Sequence, residues 1–368
     1  MAHAELLLCL FARYTCGVLD SNETEPAGIS LDMMRPILRA IWLVLFVTNA
    51  QAAGMTDLKA ANSAAEKGFG DEAIQLFTQA LAAGDLSADD QIIARKGRAR
   101  EYSAKSQIAD TFDRHDDGRR LRDNAIADFS AALSLKANDG SVLIERGQDY
   151  HMSQQFDLAV ADFSAALKLN NSPSTLLQRA ASQRAKGAYE EAIADCTAAL
   201  AIEPRDAGLE VWDIYNERGY TQFLAARYDD AAADFDKALS LGASSHADDV
   251  LWLPYQLAWL HIAHARAGRD DAEELKRFSD KISQTQWPGS LISFFIGERR
   301  LEEVSAPSSH GAMGRGRECN LSLFAGEDAL GKGNIELAQQ LILRAREVCN
   351  IHTLQYLVAG TDLNRMKK

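Results

Sequence analysis

The sequence predicts an all-α fold: a right-handed α-solenoid of stacked helical hairpins that ends in a capping helix. Sixteen residues are nearly duplicated, since NAIADFSAALSLKAND begins at Asn124 and LAVADFSAALKLNNSP begins at Leu158. The composition is 47% hydrophobic with only 7 prolines, and its many Ala and Leu residues favour helices over strands. One alanine of the duplicated pattern recurs along the chain, as in helical repeat proteins. It stands at Ala73, Ala125, Ala159, Ala192, Ala231, Ala272 and Ala338.

The first 52 residues are predicted to lie outside the solenoid. From Met34 the chain reads MRPILRAIWLVLFVTNAQAAG, with two arginines, a short apolar segment and an Ala-x-Ala site. These are the three parts of a secretory signal peptide, assigned to 34–52. Residues 1–33 show no clear period and are interpreted as a non-structural extension or a start codon placed too far upstream. We therefore expect a periplasmic protein, or an inner-membrane anchored one if the signal segment is not cleaved.

The remaining chain divides by how well it follows the repeat. We expect divergent units over 53–137, well-matched units over 138–243, divergent helical units over 244–304, a flexible linker over 305–317, and a final hairpin with a capping helix over 318–368.

A charged insertion interrupts the second unit around 103–124. The gap from Gly97 to Asp128 is 31 residues, where the next unit has 15 between Gly147 and Asp162, so about sixteen residues are extra. This predicts either a lengthened helix pair or a charged loop, in both cases a solvated protrusion.

The fourth unit carries the clearest family pattern. In KGAYEEAIADCTAALAIEP the marked positions are Gly187, Tyr189, Ala192, Ala199 and Pro204. They match the turn glycine, aromatic, small and closing-proline positions of tetratricopeptide repeats, whose period is about 34 residues. The chain resembles this family over 139–243, and more weakly over 55–137 and 248–349.

Helix crossings explain the pattern physically. Small residues such as Gly147 and Ala192 are expected where two helices cross closely, because a larger side chain would push the helices apart. Phe163 and Phe235 are expected to fill the space between one hairpin and the next. Stacking is required because a single hairpin cannot bury its apolar face.

An arginine precedes an aspartate by sixteen residues in three successive units. The pairs are Arg146 with Asp162, Arg179 with Asp195, and Arg218 with Asp234. In an antiparallel hairpin this spacing places the two side chains across from each other. A ligand-binding ladder is one reading, but ligand sites usually differ between repeats. We therefore predict structural ion pairs.

The resemblance also implies a partner-binding groove, since the first helix of each unit lines the concave face in this family. Counting along the units places there Ile144, Gln148, His151, Leu177, Ala181, Arg184, Asn216, Tyr220 and Phe223. Ile144 and Leu177 stand where chaperone-binding members carry a clamp lysine, so a cytosolic chaperone adaptor is not expected. The groove is expected to bind extended or helical segments of other proteins. Changing Tyr220 and Phe223 to alanine should then weaken binding with little change in the thermal midpoint.

Motifs for catalysis are missing from the sequence. There is no nucleophile elbow, Walker loop or Cys-x-x-Cys pair, so neither an enzyme nor a cofactor is expected. His261 and His264 stand three residues apart without an evident third ligand, which predicts ordinary packing and no metal. The formal net charge of −13 disfavours nucleic acid as a partner.

The C-terminal third carries a second resemblance. WPGSLISFFIGE, followed by a hairpin that begins at a cysteine, is similar to exported bacterial repeat proteins of the NlpI-like group. That resemblance implies a non-enzymatic adaptor for envelope or cell-wall enzymes, although no lipobox cysteine is present. The alternatives are a binding protein for a glycan or peptidoglycan fragment, and a membrane-anchored assembly factor.

A disulfide is predicted between Cys319 and Cys349, which bracket one hairpin. Antiparallel helices bring those two ends together, and export would place the chain in an oxidising compartment. Cys196 stands where other units carry Phe163 or Phe235, so it is predicted to be a buried free thiol.

Overall fold

The computed structural model describes residues 53–112, 114–202, 209–243, 251–278, 281–304 and 312–367. The expectations for the first 52 residues and for 305–311 lie outside this part of the chain. The described residues form helices and no strands, which confirms the predicted all-α solenoid. The helices are α1 (Ala53–Glu66), α2 (Gly70–Ala83), α3 (Ala88–Thr111), α4 (His115–Leu135), α5 (Gly140–Met152), α6 (Phe156–Leu169), α7 (Pro173–Ala185), α8 (Tyr189–Leu200), α9 (Val211–Leu224), α10 (Tyr228–Gly242), α11 (Trp252–Arg266), α12 (Ala272–Lys276), α13 (Gly289–Phe295), α14 (Leu301–Val304), α15 (Ala312–Gly331), α16 (Ile335–Val348) and α17 (Leu354–Met366).

Successive helices pair as antiparallel hairpins that stack in chain order. Each of the first four hairpins, α1–α2 to α7–α8, contacts the next through its second helix, and first helices of neighbouring hairpins also touch. Six of the seven repeated alanines are fully buried; Ala272, in the short helix α12, is half-buried. Ala therefore recurs because no larger side chain fits between the stacked helices.

Glycine permits the closest crossings, as predicted for Gly147. A Cβ atom added there would lie 2.8 Å from Cε1 of Phe163, so the ring occupies the space that a side chain would need. Phe235 packs in the same way on Gly219 of its own hairpin, and its ring centroid is 6.0 Å from that of Trp259 in the next helix. The aromatic ring thus joins both its own hairpin and the following one, as the sequence predicts.

The insertion in the second unit lengthens a helix pair. α3 has 24 residues and α4 has 21, against 13 and 14 in α5 and α6. The alternative of a charged loop is wrong for the described residues. In this unit Arg98 pairs with Asp128, 30 residues later, whereas in the next unit Arg146 pairs with Asp162, 16 residues later. The insertion therefore adds fourteen residues, two fewer than the spacing counted from Gly97 predicts.

The C-terminal part forms the largest apolar cluster, which extends from α9 to α17 and includes Phe223, Leu257, Leu323 and Val358. Residues 312–317 form the first turns of helix α15, so this part of the predicted linker over 305–317 is helical. α17 caps the end of the stack, as predicted. None of the helices in the described residues is long and apolar enough to span a bilayer.

Cys319 and Cys349 form the predicted disulfide, with their Cα atoms 4.8 Å apart. It joins the eighth residue of α15 to the residue that follows α16, so α15 begins earlier than the sequence predicts. Cys196 is a buried free thiol, and burial raises its pKa to about 12. The thiol is therefore protonated at neutral pH, and it packs as an apolar side chain.

Candidate functional site

The predicted ion pairs are joints within and between hairpins. Arg146 donates from Nε to Oδ2 and from Nη2 to Oδ1 of Asp162, both at 2.7 Å. Its Nη1 donates to the Ser130 hydroxyl at 3.0 Å, on the second helix of the preceding hairpin. The hydrogen bond to the carboxylate raises the pKa of the Arg146 guanidinium. One arginine thus fixes its own hairpin and the one before it, which favours a structural role over a ligand-binding one.

This Arg–Asp–hydroxyl joint recurs in three other units. The equivalents are Arg98–Asp128–Thr78, Arg179–Asp195–Ser164 and Arg218–Asp234–Thr197. The spacing rule misses Arg98 because the insertion separates it from its aspartate. It misses the hydroxyl partners because they belong to the preceding unit, where Ser and Thr are common.

We call the surface formed by α3, α5, α7 and α9 the first-helix face; it carries the predicted groove. Four of the predicted groove residues are accessible in its central part. Gln148 is exposed, while Ile144, Leu177 and Ala181 are half-buried. Aliphatic side chains next to an exposed amide offer both apolar contact and a hydrogen-bonding group to a bound segment.

Two other predicted groove residues are used to join first helices. His151 Nδ1 lies 2.8 Å from the Ser182 hydroxyl, and Arg184 Nη1 donates to Glu217 Oε2 at 2.5 Å. Burial, with the nearby Arg184, lowers the pKa of His151 to about 4. The imidazole is therefore neutral at pH 7. Neither side chain is a free cation for an acidic ligand.

The prediction is wrong for Asn216 and Phe223, which are buried. Phe223 is fully covered, with its ring 5.2 Å from Tyr228 and 6.0 Å from Trp259. Tyr220 is half-buried, and its ring centroid lies 4.8 Å from that of Trp259. The cause is α11, which packs over this end of the first-helix face.

We therefore expect alanine at Tyr220 and Phe223 to lower the thermal midpoint, in contrast to the prediction from the sequence. Removing a buried phenylalanine side chain costs about 3–5 kcal/mol of folding free energy, because a cavity is left in the core.

The chain's own C-terminal helix packs against the same end of the first-helix face, while His352, two residues before that helix, reaches Asp110 of α3 at the other end. Arg365 of α17 donates to the carbonyl oxygen of Leu224, the last residue of α9. Arg266 reaches Asp362 of α17 at 3.2 Å and also bonds Glu327. Both carboxylates are fully buried, and burial raises the pKa of Glu327 well above its usual range. These partners are 61 to 141 residues apart, so no short-range pattern predicts them.

A polar junction ties the lengthened hairpin to α5 and to the segment before α17. Ser103 donates to Asp149 at 2.7 Å, and Arg122 bonds Asp110. His352 Nε2 lies 3.9 Å from Asp110 Oδ2. Burial raises the pKa of Asp149 to about 6, and the Ser103 hydrogen bond only partly opposes it. Asp149 is thus a titratable group placed between repeats.

His261 and His264 belong to a buried ionic cluster. His261 bonds Asp271 through Nδ1 at 2.7 Å and Asp328 through Nε2 at 3.0 Å, and His264 bonds Asp271 at 3.1 Å. Burial opposes protonation of His261, but the hydrogen bonds to Asp271 and Asp328 and the charges of these two carboxylates together outweigh it and raise the pKa of His261. No group of three or more His, Cys, Asp or Glu residues in the described chain is arranged to hold a metal. With both ring nitrogens bonded, His261 holds elements together.

Comparison with solved structures identifies the fold. A tetratricopeptide repeat protein from Parabacteroides merdae superposes with a TM-score of 0.53 at 13% identity, over 84% of this chain and 99% of the other. The chain has the tetratricopeptide-repeat fold. A repeat protein from Cytophaga hutchinsonii gives a TM-score of 0.46 at 16% identity, over 79% of this tetratricopeptide-repeat chain and 95% of its own. The MamA protein gives 0.43 at 17% identity, over 54% and 95%. No protein-family profile and no curated protein matches the sequence.

Proposed function

We propose that this protein is a non-enzymatic scaffold that binds segments of other proteins at the central part of its first-helix face. The tetratricopeptide-repeat fold supports a scaffold for protein–protein interaction. The observation that supports this site is a difference between paired and accessible side chains along the first-helix face. The charged residues Arg184 and Glu217 pair with each other, while Ile144, Gln148 and Leu177 remain accessible. A surface of aliphatic groups beside an amide suits an extended or helical polypeptide.

The burial of the aromatic residues argues against the glycan alternative. Sugar binding commonly uses aromatic rings that stack on the ligand, and the groove aromatics of the prediction are Tyr220 and Phe223. Phe223 is fully covered, and the Tyr220 ring packs against Trp259. A binding protein for a peptidoglycan fragment would therefore need another aromatic surface.

The proposal places the scaffold in the periplasm, with envelope or cell-wall enzymes as its partners. The signal-peptide pattern at 34–52 supports export, and the Cys319–Cys349 bridge fits an oxidising compartment. An uncleaved signal segment would instead anchor the scaffold in the inner membrane. Mass spectrometry of the mature N-terminus separates the two, since cleavage leaves Ala53 as the first residue.

Photo-crosslinking in cells tests the binding face. A photoreactive amino acid is introduced at Gln148, and in a control variant at Glu191, which is exposed on α8, a second helix. The proposal predicts protein adducts from position 148 and none from position 191. Adducts at 191 alone, equal adducts at both positions, or none at 148 would contradict it.

A further inference from the structure

The lengthened hairpin creates a second surface, away from the central first-helix face. Lys105 of α3 bonds Asp71 in the first turn of α2, so this level marks the end of the first hairpin. The remainder of α3, to Thr111, rises about 9 Å beyond it. A cleft of about 790 Å³ lies at this step, between α3, α4 and the turn that joins α1 to α2. We call it the overhang cleft.

Both long helices turn one consistent side toward the overhang cleft. On α3 the lining residues Glu101, Ala104 and Ile108 are three and four residues apart, and on α4 Asp117 and Leu121 repeat that spacing. Such spacing marks a single helix face. Elsewhere in the stack a face of this kind is covered by the preceding hairpin. Here α1 and α2 have only 14 residues each and do not reach far enough to cover it.

Large apolar side chains are exposed around the overhang cleft. Ile108 lines the cleft and is 53% exposed. Phe69, between the lining residues Gly68 and Gly70, is 56% exposed, and Phe112, the residue after α3, is 68% exposed. Single exposed apolar residues are ordinary, whereas several around one concave surface indicate an interaction site. The apolar residues supply the contact area for a bound segment.

Charge along the overhang cleft defines the occupant further. The lining pairs Lys105–Asp71 and Arg120–Asp117 neutralise themselves. Glu101 at the inner end and Arg114 at the outer end form no ion pair with a described residue. From Glu101 to the end of α3 at Thr111 the helix rises about 15 Å, and Arg114 follows in the turn before α4, so the two charges are about 15 Å apart along the cleft. A complementary segment therefore carries a basic group at one end and an acidic group at the other.

We propose that the overhang cleft binds an amphipathic helix of about three turns from a partner protein. Its apolar face lies on Ile108 and Leu121, a lysine or arginine meets Glu101, and a glutamate or aspartate meets Arg114. A helix is favoured over an extended strand because the occupant takes the place that a preceding hairpin's helix takes elsewhere in the stack. The proposal rests on the scaffold function but uses a different surface.

A synthetic helix tests the chemistry directly. The probe is a fluorescent 16-residue amphipathic peptide with leucines at positions i, i+4, i+7 and i+11. A lysine and a glutamate stand about ten residues apart, to match the cleft, and the peptide is prepared in both polarities. Fluorescence anisotropy with the full chain is expected to show saturable binding for one polarity. Ile108→Asp should weaken it about tenfold, as for a central apolar anchor. Ile335→Asp, equally exposed at 53% on α16, should leave it unchanged.

Charge reversal provides the sharper control. Arg114→Glu should weaken binding of the original peptide and restore it for a peptide whose glutamate is replaced by lysine. No binding by either polarity, or equal loss with Ile335→Asp, would overturn the proposal. Dimers of the free chain that dissociate with Ile108→Asp would also overturn it, because a second copy would then be the occupant. Gln148→Arg should leave the affinity for the peptide unchanged. The proposal for the overhang cleft and the proposal for the central first-helix face are therefore tested independently.

Discussion

The Arg–Asp–hydroxyl joint makes a quantitative prediction about stability. The Asp162 side chain is 9% exposed and that of Arg146 is 19% exposed, and two parallel hydrogen bonds of 2.7 Å join them. Breaking a fully buried pair by removing one partner costs about 3–5 kcal/mol. Because Arg146 retains some contact with water, we expect about 2–3 kcal/mol for Asp162→Asn, and a coupling energy near 2 kcal/mol with Arg146→Met in a double-mutant cycle.

A matched control makes this prediction specific. Lys186 and Asp157 also form an ion pair of 2.5 Å, but their side chains are 38% and 87% exposed. Their coupling energy should be below about 0.5 kcal/mol, as for surface pairs. Urea unfolding followed by circular dichroism gives both cycles. Equal coupling energies in the two pairs, or less than about 0.5 kcal/mol between Arg146 and Asp162, would refute the assignment of the ladder as a structural joint.

Three further outcomes are expected. Gly219→Ala should destabilise the protein by about 1–3 kcal/mol, since the new Cβ would lie 2.7 Å from the ring of Phe235, whereas Gly140→Ala, 3.6 Å from its nearest neighbour, should stay within about 0.5 kcal/mol; unfolding curves that show no difference would contradict the crossing geometry. Because burial raises the pKa of Asp149 from 3.8 to about 6, the folded state binds a proton more tightly than the unfolded state and loses stability as pH rises from 4 to 6. The free energy of unfolding of Asp149→Asn should therefore exceed that of wild type by about 3 kcal/mol at pH 8 and match it at pH 4, and a difference that does not depend on pH would be inconsistent with this. Thiol titration of the unreduced, denatured mature chain should find one sulfhydryl, that of Cys196, and three would exclude the bridge.

The sequence predicts the features that repeat locally. Stacked hairpins follow from the alanine period, because each alanine meets the same crowded crossing. The joints at Arg146, Arg179 and Arg218 follow from a sixteen-residue spacing that an antiparallel hairpin imposes. The Cys319–Cys349 bridge follows because an antiparallel hairpin brings the two residues together, although α15 begins seven residues before Cys319.

Long-range packing sets the limit of such prediction. Counting along the repeat correctly places Asn216 and Phe223 on a first helix, yet it carries no information about α11 and α17, which cover that helix. Arg365 meets Leu224 across 141 residues, and Arg266 meets Asp362 across 96. Irregular pairs of this kind decide which part of the first-helix face remains open. They appear in no period of the sequence.

The central claim is that partners bind at the open middle of the first-helix face. The most direct measurement is the affinity of the full chain for the partner that crosslinks to position 148, determined by isothermal titration calorimetry. Gln148→Arg should weaken binding about tenfold, as expected for a change within the contact surface. Leu158→Arg, at a residue that is 47% exposed on α6, should leave the affinity unchanged. Equal affinities for wild type and Gln148→Arg, or an equal loss in both variants, would contradict the account.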